Sequence, residues 1–410
     1  MELGIGYGPS GFSTTGAAHS ATELIFQQIR ARGQVARVEI ARALGISPAT
    51  VTTLTADLIA RGLIEEVADA PAAGPARGRP RVALQLKGPA HVVAGVKLGD
   101  RLTTLVLLDF QGRQIVETRV THKTQFSDAD SVVALLAQVL DKGLAEAGLT
   151  REAISAIGIG VPGFVDAQLG LVHWSPLLAR RQVPLRDLAQ AELGCPVEID
   201  NDANLLALAE LWFGVGRTRK DFIVVTIEQG VGMGIVLDNR LYHGARGRGV
   251  EFGHMKIQPE GALCRCGQRG CLEAYVADYA LLREAEMALP HVPRADPDRL
   301  DQLFAEAKAG NLAARSIFRR AARLFAVGLA NIVNIFDPEL VILSGEQLRY
   351  DYLYGDEVRQ QIEANTLDLG EKPVEFRVHK WEDQLWAKGA AAYALDRLSQ
   401  RLLSGEVIHA

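Results

Sequence analysis

The sequence predicts an α/β protein in two parts: a small N-terminal head of three helices and a β-hairpin, then a larger α/β body of two lobes. Three observations carry this. Residues 19–61 show helical periodicity interrupted by a Gly-Ile-Ser-Pro turn. Two short alternating runs follow, on either side of a loop rich in Ala, Pro and Gly. From His91 onward, strand and helix patterns alternate. At 410 residues the chain is long enough for two or three cores. Its hydrophobic share of 48% and charged share of 23% are those of a globular protein, which excludes a disordered or fibrous chain.

In the head, Leu24, Ile25 and Ile29 share one helix face, as do Ile40, Ala41 and Leu44. In the turn Gly45-Ile46-Ser47-Pro48, Ser47 is a good N-cap and Pro48 suits the first helical position. Val51, Leu54, Leu58 and Leu63 bury the next helix against the first two. Ile64–Val67 and Arg81–Leu86 read as strands, joined by the loop 69–80. The pattern is a winged helix-turn-helix over residues 19–88, with a disordered tail at residues 1–18. In the body, Val92–Val96, Thr103–Leu108 and Ile115–Val120 predict a three-stranded meander. Ser131–Ala147 predicts a helix, and Ile154–Ile159, Phe222–Ile227 and Leu340–Leu343 predict buried strands. The expected division is a first lobe of residues 89–199 with 383–410, and a second of residues 200–382.

The formal net charge of −5 argues against a chain that coats nucleic acid over its whole surface, yet leaves room for a local basic module. No run approaches the ~20 apolar residues of a membrane span. The first residues lack the basic start and apolar stretch of a signal peptide, so the expected location is cytoplasmic. Within the winged helix, the recognition helix begins at Pro48. Its outward side carries Ala49, Thr50, Thr52, Thr53 and Ala56, with no Lys or Arg. Thr and Ala touch thymine methyl groups, while Arg77 and Arg79 at the wing tip suit a narrow minor groove. With Ser47, Arg37 and Arg42 flanking, these residues form the candidate DNA surface. The expected operator is pseudo-palindromic and A·T-leaning, bound by a homodimer or tetramer.

Three of the four cysteines fall close together, and Cys264, Cys266 and Cys271 with His254 make the inventory of a tetrahedral zinc. Gly267 and Gly270 fit a tight loop around the ion. Four protein ligands leave no open position, so the expected Zn2+ is structural. Cys195 lies far off and reads as a core residue.

Gly247 to His254 (Gly-Arg-Gly-Val-Glu-Phe-Gly-His), followed by Cys264 to Glu273 (Cys-Arg-Cys-Gly-Gln-Arg-Gly-Cys-Leu-Glu), resembles the signature of the ROK family of repressors, open reading frames and kinases. Asp200-Asn201-Asp202-Ala203-Asn204 resembles that family's sugar and catalytic motif, and Val161 to Asp166 is similar to its early sugar-side loop. The chain is most similar to the repressor branch, that of the N-acetylglucosamine, xylose and Making-large-colonies repressors. The resemblance implies a two-lobed, actin-like sugar-kinase fold with a small sugar in the cleft. It also implies that Gly163, Asn201, Asp202, Glu251, His254 and Glu273 contact the sugar, with His254 shared between sugar and metal.

Asp202 matches the family's catalytic base, but phosphoryl transfer also needs a cradle for the ATP phosphates. Where ROK kinases carry an Asp-x-Gly-Gly-Thr-like loop, this chain has Lys97-Leu98-Gly99-Asp100. Their Gly-Thr-Gly becomes Glu228-Gln229-Gly230, and their glycine-rich third loop becomes Ser344-Gly345-Glu346. Carboxylates at phosphate sites repel the ligand. The pattern implies a sensor with a vestigial base: a sugar-responsive repressor of carbohydrate uptake or catabolism genes, and not an enzyme. Two alternatives remain open from sequence: an active sugar kinase bearing a DNA module, and a repressor controlled by a transporter protein partner. Selection of binding sites from random DNA is expected to return an A·T-rich consensus; a G·C-rich one would contradict this reading of the recognition helix.

Overall fold

The computed structural model describes residues 6–11, 19–68, 82–122, 128–245, 247, 250–294, 296–345, 350–353, 355–367, 370, 373–379 and 384–405. The chain divides into two compact units: Met1–Lys220 with Val236–Leu241 and Asp383–Ala410, and Asp221–Ile235 with Tyr242–Glu382.

The first unit begins with α1 (Ala21–Arg32), β1 (Val35–Ala36), α2 (Arg37–Leu44), α3 (Pro48–Ala60), β2 (Ile64–Ala68) and β3 (Val82–Leu86). Ser20 caps α1 with a capping box completed by Glu23, and Ser47 caps α3 by accepting from Thr50 N. Ile25, Phe26, Ile29, Ile40, Val51, Leu58 and Leu63 form the core of this head, much as the periodicity predicts. Leu24, Leu44 and Leu54 are only half-buried, and Thr55 takes a fully buried place on α3. The short β1 was not expected; it pairs with β3, which pairs in turn with β2 in an antiparallel sheet. Residues 69–81, including Arg77 and Arg79, lie outside the described residues.

The body of this unit is a sheet of β4 (Val92–Leu98), β5 (Leu102–Asp109), β6 (Gln114–Thr121), β7 (Ile154–Val161) and, beyond a small hairpin β8 (Phe164–Asp166) and β9 (Leu171–Trp174), β10 (Val197–Asn201). The order is β10-β7-β4-β5-β6, with β4, β7 and β10 parallel and the β4–β5–β6 meander antiparallel. Alternation along the strands sends Ala94, Val96, Ile157 and Ile159 to one face, where α4 (Ala129–Ala147) and α5 (Leu185–Leu193) complete a core. Half-buried Cys195 packs on this core, as expected of it. On the other face lies the C-terminal helix, Gln384–Ser404, packed also on α6 (Asp202–Phe213). α6 thus belongs to the first unit, beyond the expected division at residue 199, because it packs against that helix. A Cβ on Gly158 would lie 1.9 Å from the carbonyl oxygen of Ala390, so only glycine admits such close contact between helix and sheet.

Residues 6–11, expected as part of a disordered tail, are instead docked. Tyr7 is buried, and its hydroxyl donates to Phe110 O at 2.7 Å.

The second unit holds β11 (Phe222–Ile227) and most of β12 (Val231–Leu237), which leads to β13 (Arg240–Leu241). After the short α7 (Glu273–Val276), α8 (Asp278–Glu284) and α9 (Arg299–Ala309) pack with the long α10 (Leu312–Phe336) around Leu281, Leu300, Leu303, Ile317 and Phe318. β14 (Leu340–Ser344), α11 (Asp356–Asn365) and β15 (Glu375–Val378) complete the unit, and α12 (Gln384–Ser404) returns to the first. The sheet order is β13-β12-β11-β14-β15, with β11, β14 and β15 parallel. No helix among the described residues is long and apolar enough to cross a membrane.

The contact between α12 and the sheet predicts that Gly158→Ala lowers unfolding free energy by about 3 kcal/mol, because the clash is with backbone that cannot swing away. Chemical denaturation of the full chain checks this; an unchanged midpoint would mean the helix stands off the strand.

Candidate functional site

The metal-type cluster is built by a folded knuckle in the second unit. His254 ends a short 3-10 turn, Phe252–His254. The chain then doubles back, with Ile257 N bonded to Gly270 O and Gly270 N to Ala262 O, both at 2.9 Å. At its tip, Gly267 N bonds to Cys264 O and Cys264 N to Gln268 O, which puts Cys264 and Cys266 on one tight turn. One donor atom from each of His254, Cys264, Cys266 and Cys271 lies within 4.8 Å of the others. Cys264 Sγ is 3.7 Å from His254 Nδ1, and Cys266 Sγ is 3.7 Å from Cys271 Sγ. The sequence expectation of one cluster holds, and its donors are those of a metal site.

Surrounding groups tune these donors. Burial raises the Cys264 thiol, but hydrogen bonds from His254, the Cys266 backbone and Tyr279 outweigh it and bring the pKa down to about 7. Burial opposes charge on His254, yet its bond to Cys264 and the charge of Glu273 lift it to about 9. Burial drives Cys266 the other way, up to about 11. Lys256 Nζ donates to Cys271 Sγ at 2.9 Å, a charge-assisted contact the motif reading missed.

The six sugar-type residues fall into two groups, one in each unit. In the first unit, Asn201 caps α6, its Oδ1 accepting from Ala203 N at 2.9 Å, while its Nδ2 donates to Gly163 O at 2.8 Å. Asp200 accepts from Asn201 N and Asn204 Nδ2. Asp202 opens the helix. Burial raises its carboxyl pKa, and the neighbouring Lys97 offsets part of that rise. Lys97 is itself buried, its ammonium 4.2 Å from the Trp386 ring centroid. In the second unit, Glu251 is exposed and its carbonyl accepts from His254 N. Buried Glu273 accepts from Val231 N at 3.3 Å and lies 3.5 Å from Cys264 Sγ and 3.3 Å from the Tyr279 hydroxyl. It therefore ties the knuckle to β12.

Two of the three stretches expected at the phosphate side can be followed in full. Lys97 ends inside β4, and Glu228 N bonds to Gly230 O in the turn after β11. Ser344 is fully buried at the end of β14, and Glu346 lies outside the described residues.

On the head, Ala49, Thr50, Thr52 and Thr53 are exposed, as is Arg42. Thr52 and Thr53 donate their hydroxyls to Pro48 O and Ala49 O, which leaves acceptor oxygens available outward. Ser47 spends its side chain on the cap. Arg37 is held by Thr55 Oγ1 at 2.9 Å and Glu66 at 2.8 Å, so it braces α3 and β2.

Because burial raises Asp202, the folded chain retains a proton that the unfolded chain has already lost above about pH 4. That burial contribution to stability therefore falls as pH rises through the folded pKa. Lys97→Met removes the compensating cation, so the variant is expected to lose more stability than the parent as pH rises above the ordinary carboxylate range, read by thermal unfolding across pH. An identical pH profile would mean the two side chains do not interact.

The model of the ROK family matches residues 93–397. The chain is 31% identical over 388 residues to the xylose repressor of Caldicellulosiruptor bescii, covering 92% of this chain and 96% of that one. A crystal structure of a ROK family transcriptional regulator, homologous to the Escherichia coli MLC protein, superposes with a TM-score of 0.77 at 26% identity over 94% of this chain and 97% of that one. A ROK family glucokinase from Streptomyces griseus, solved with glucose and AMPPNP, gives a TM-score of 0.63 at 28% identity, covering 74% of this chain and 99% of that one. On this similarity and on its own motifs, the chain belongs to the ROK family and has that family's sugar-kinase-like α/β fold.

Proposed function

We propose that the chain is a sugar-responsive transcriptional repressor. One observation carries the reading: similarity to repressors runs through head and body alike, whereas a kinase of the family matches the body. The xylose repressor aligns over 92% of the chain, while the glucokinase is used almost whole, at 99%, yet covers 74%. The remainder of the match to repressors needs the three helices and hairpin of residues 19–88.

In this reading the head is a winged helix-turn-helix whose α3 enters the major groove of operator DNA. Its exposed methyls and acceptor oxygens suit thymine methyl groups and adenine amino groups, in keeping with an A·T-leaning site. Arg42, Arg77 and Arg79 supply phosphate or minor-groove contacts; Arg37 positions α3. A homodimer or tetramer places two heads on a pseudo-palindromic operator.

The effector is a small sugar held by Gly163, Asn201, Asp202, Glu251, His254 and Glu273. Carboxylates and an amide offer acceptors and a donor to vicinal hydroxyls. His254, Cys264, Cys266 and Cys271 hold a structural Zn2+. Two thiolates about 2.3 Å from a tetrahedral ion stand about 3.8 Å apart, close to the observed sulfur separation of 3.7 Å. The ion would fix the knuckle and, through Glu273, the sugar-side carboxylates. Lys97 and Glu228 replace the groups that cradle ATP, so the repressor works without phosphoryl transfer.

The retained Asp202 and the similarity to glucokinases favour an active kinase as the second reading. An ATP-coupled assay with xylose, glucose and N-acetylglucosamine separates the two, since only a kinase turns over. Control by a protein partner would leave operator binding unmoved by any sugar.

Glu251→Ala is expected to abolish the sugar response while leaving operator affinity within about two-fold, read by operator binding with and without sugar. Loss of DNA binding in that variant would make the residue structural. Elemental analysis should find one zinc per chain. Cys271→Ser should release it and lower thermal stability by several degrees, whereas a metal-free, equally stable parent would contradict the zinc assignment.

A further inference from the structure

We propose that residues 6–11 form a strap that locks α1 of the head onto the C-terminal end of α6, so that movement of α6 is passed to the head. The strap's existence rests on geometry alone; its consequence for regulation rests on the repressor reading above.

The strap bonds to both partners. Tyr7 N donates to Arg30 O of α1 at 3.0 Å, and Gly8 N donates to Trp212 O of α6 at 2.8 Å. Ser10 N and Oγ both donate to Arg217 O, and Arg217 answers with Nε to Gly8 O at 3.1 Å and Nη2 to Ala31 O at 3.0 Å. The Tyr7 ring lies 5.5 Å from Trp212 and 6.0 Å from Phe213, and its hydroxyl bonds to Phe110 O. Burial keeps that phenol protonated far beyond its ordinary range, so it serves as a donor at any physiological pH.

Beneath the strap lies a charged joint. Arg30 of α1 is 5% exposed, its guanidinium 4.2 Å from the Trp212 ring centroid and 3.7 Å from Asp396 of α12. A cation over an indole attracts most strongly when water is kept out. Tyr7 is part of what keeps it out, so strap and joint reinforce one another. A Cβ on Gly6 would lie 2.0 Å from Arg30 O and 2.3 Å from Gly33 N, so the strap reaches α1 only because that position has no side chain.

α6 connects this joint to the effector residues. Its 12 residues span about 18 Å, with Asn201 and Asp202 at one end and Trp212 and Phe213 at the other. A helix capped at its start and clamped at its end moves as a rod. A sugar that prefers one setting of Asp202 would thereby bias the setting of the head.

The test compares full-length Tyr7→Ala, Gly6→Ala and Tyr7→Phe with the parent. Hydrogen exchange is measured along α1, and operator binding is measured with and without D-xylose, D-glucose and N-acetylglucosamine. Tyr7→Ala and Gly6→Ala are expected to speed exchange of the Ile29–Gly33 amides about ten-fold, with β4 and β7 unchanged. They should also bring the ratio of operator affinities without and with sugar to within about two-fold of unity, while sugar affinity persists. Tyr7→Phe keeps the ring but loses the bond to Phe110 O, and should fall between the parent and Tyr7→Ala. Unchanged α1 exchange in both strap variants would overturn the strap, and so would a full sugar response once the strap is released. If Tyr7→Ala fails to fold, Gly6→Ala decides alone. If no sugar alters operator binding by the parent, the repressor reading fails, and the exchange measurement still decides the strap.

Discussion

The close seating of α12 on the β4–β7 sheet and against α6 is the constraint on which the first unit depends. It is possible because small residues line both sides: Gly158 on the strand, and Ala387, Ala390, Ala391 and Ala394 on the helix. With α12 pressed to the sheet, α6 has a fixed bed, and the junction of β10 with α6 fixes Asn201 and Asp202. The opposite sheet face, filled by α4 and α5, is an ordinary aliphatic core and could accept repacking. The α12 face could not, since backbone meets backbone there.

The second unit solves its positioning problem by chemistry instead of packing. A knuckle with few apolar side chains has little hydrophobic reason to hold one shape. Its order comes from turn hydrogen bonds, the Cys and His donors, and Glu273, which reaches both Val231 N and the Cys264 neighbourhood. A group engaged on both sides has little freedom left.

Much of this was legible in the sequence because the signals are local. The helix cap at Ser47, strand alternation, and the cysteine spacing each act over a few residues, and each reappears in the structure. Less legible were features made by residues distant in sequence. The docking of Tyr7 needs Phe110, Trp212 and Arg30, and nothing in a Gly- and Ser-rich start announces such partners. The bracing of Arg37 by Glu66 and Thr55 was not legible either, because the fold brings these residues together from distant stretches of chain. The order of the second sheet likewise depends on pairings across long stretches of chain, whereas the placing of residues 383–410 with the first unit agrees with the expected division.

Family membership gives the chain a sugar-kinase-like α/β fold, and its similarity to a repressor extends over 92% of the chain. The proposal has two sides, sugar recognition around Asn201 and Glu273 and, with Lys97 and Glu228 on the phosphate side, no phosphoryl transfer. Titration of the full-length protein onto operator DNA against free and phosphorylated xylose, glucose and N-acetylglucosamine tests it most directly. The account predicts that one of these free sugars weakens operator binding without any ATP present. Operator affinity indifferent to every sugar, with ATP-dependent phosphorylation of one of them, would contradict it.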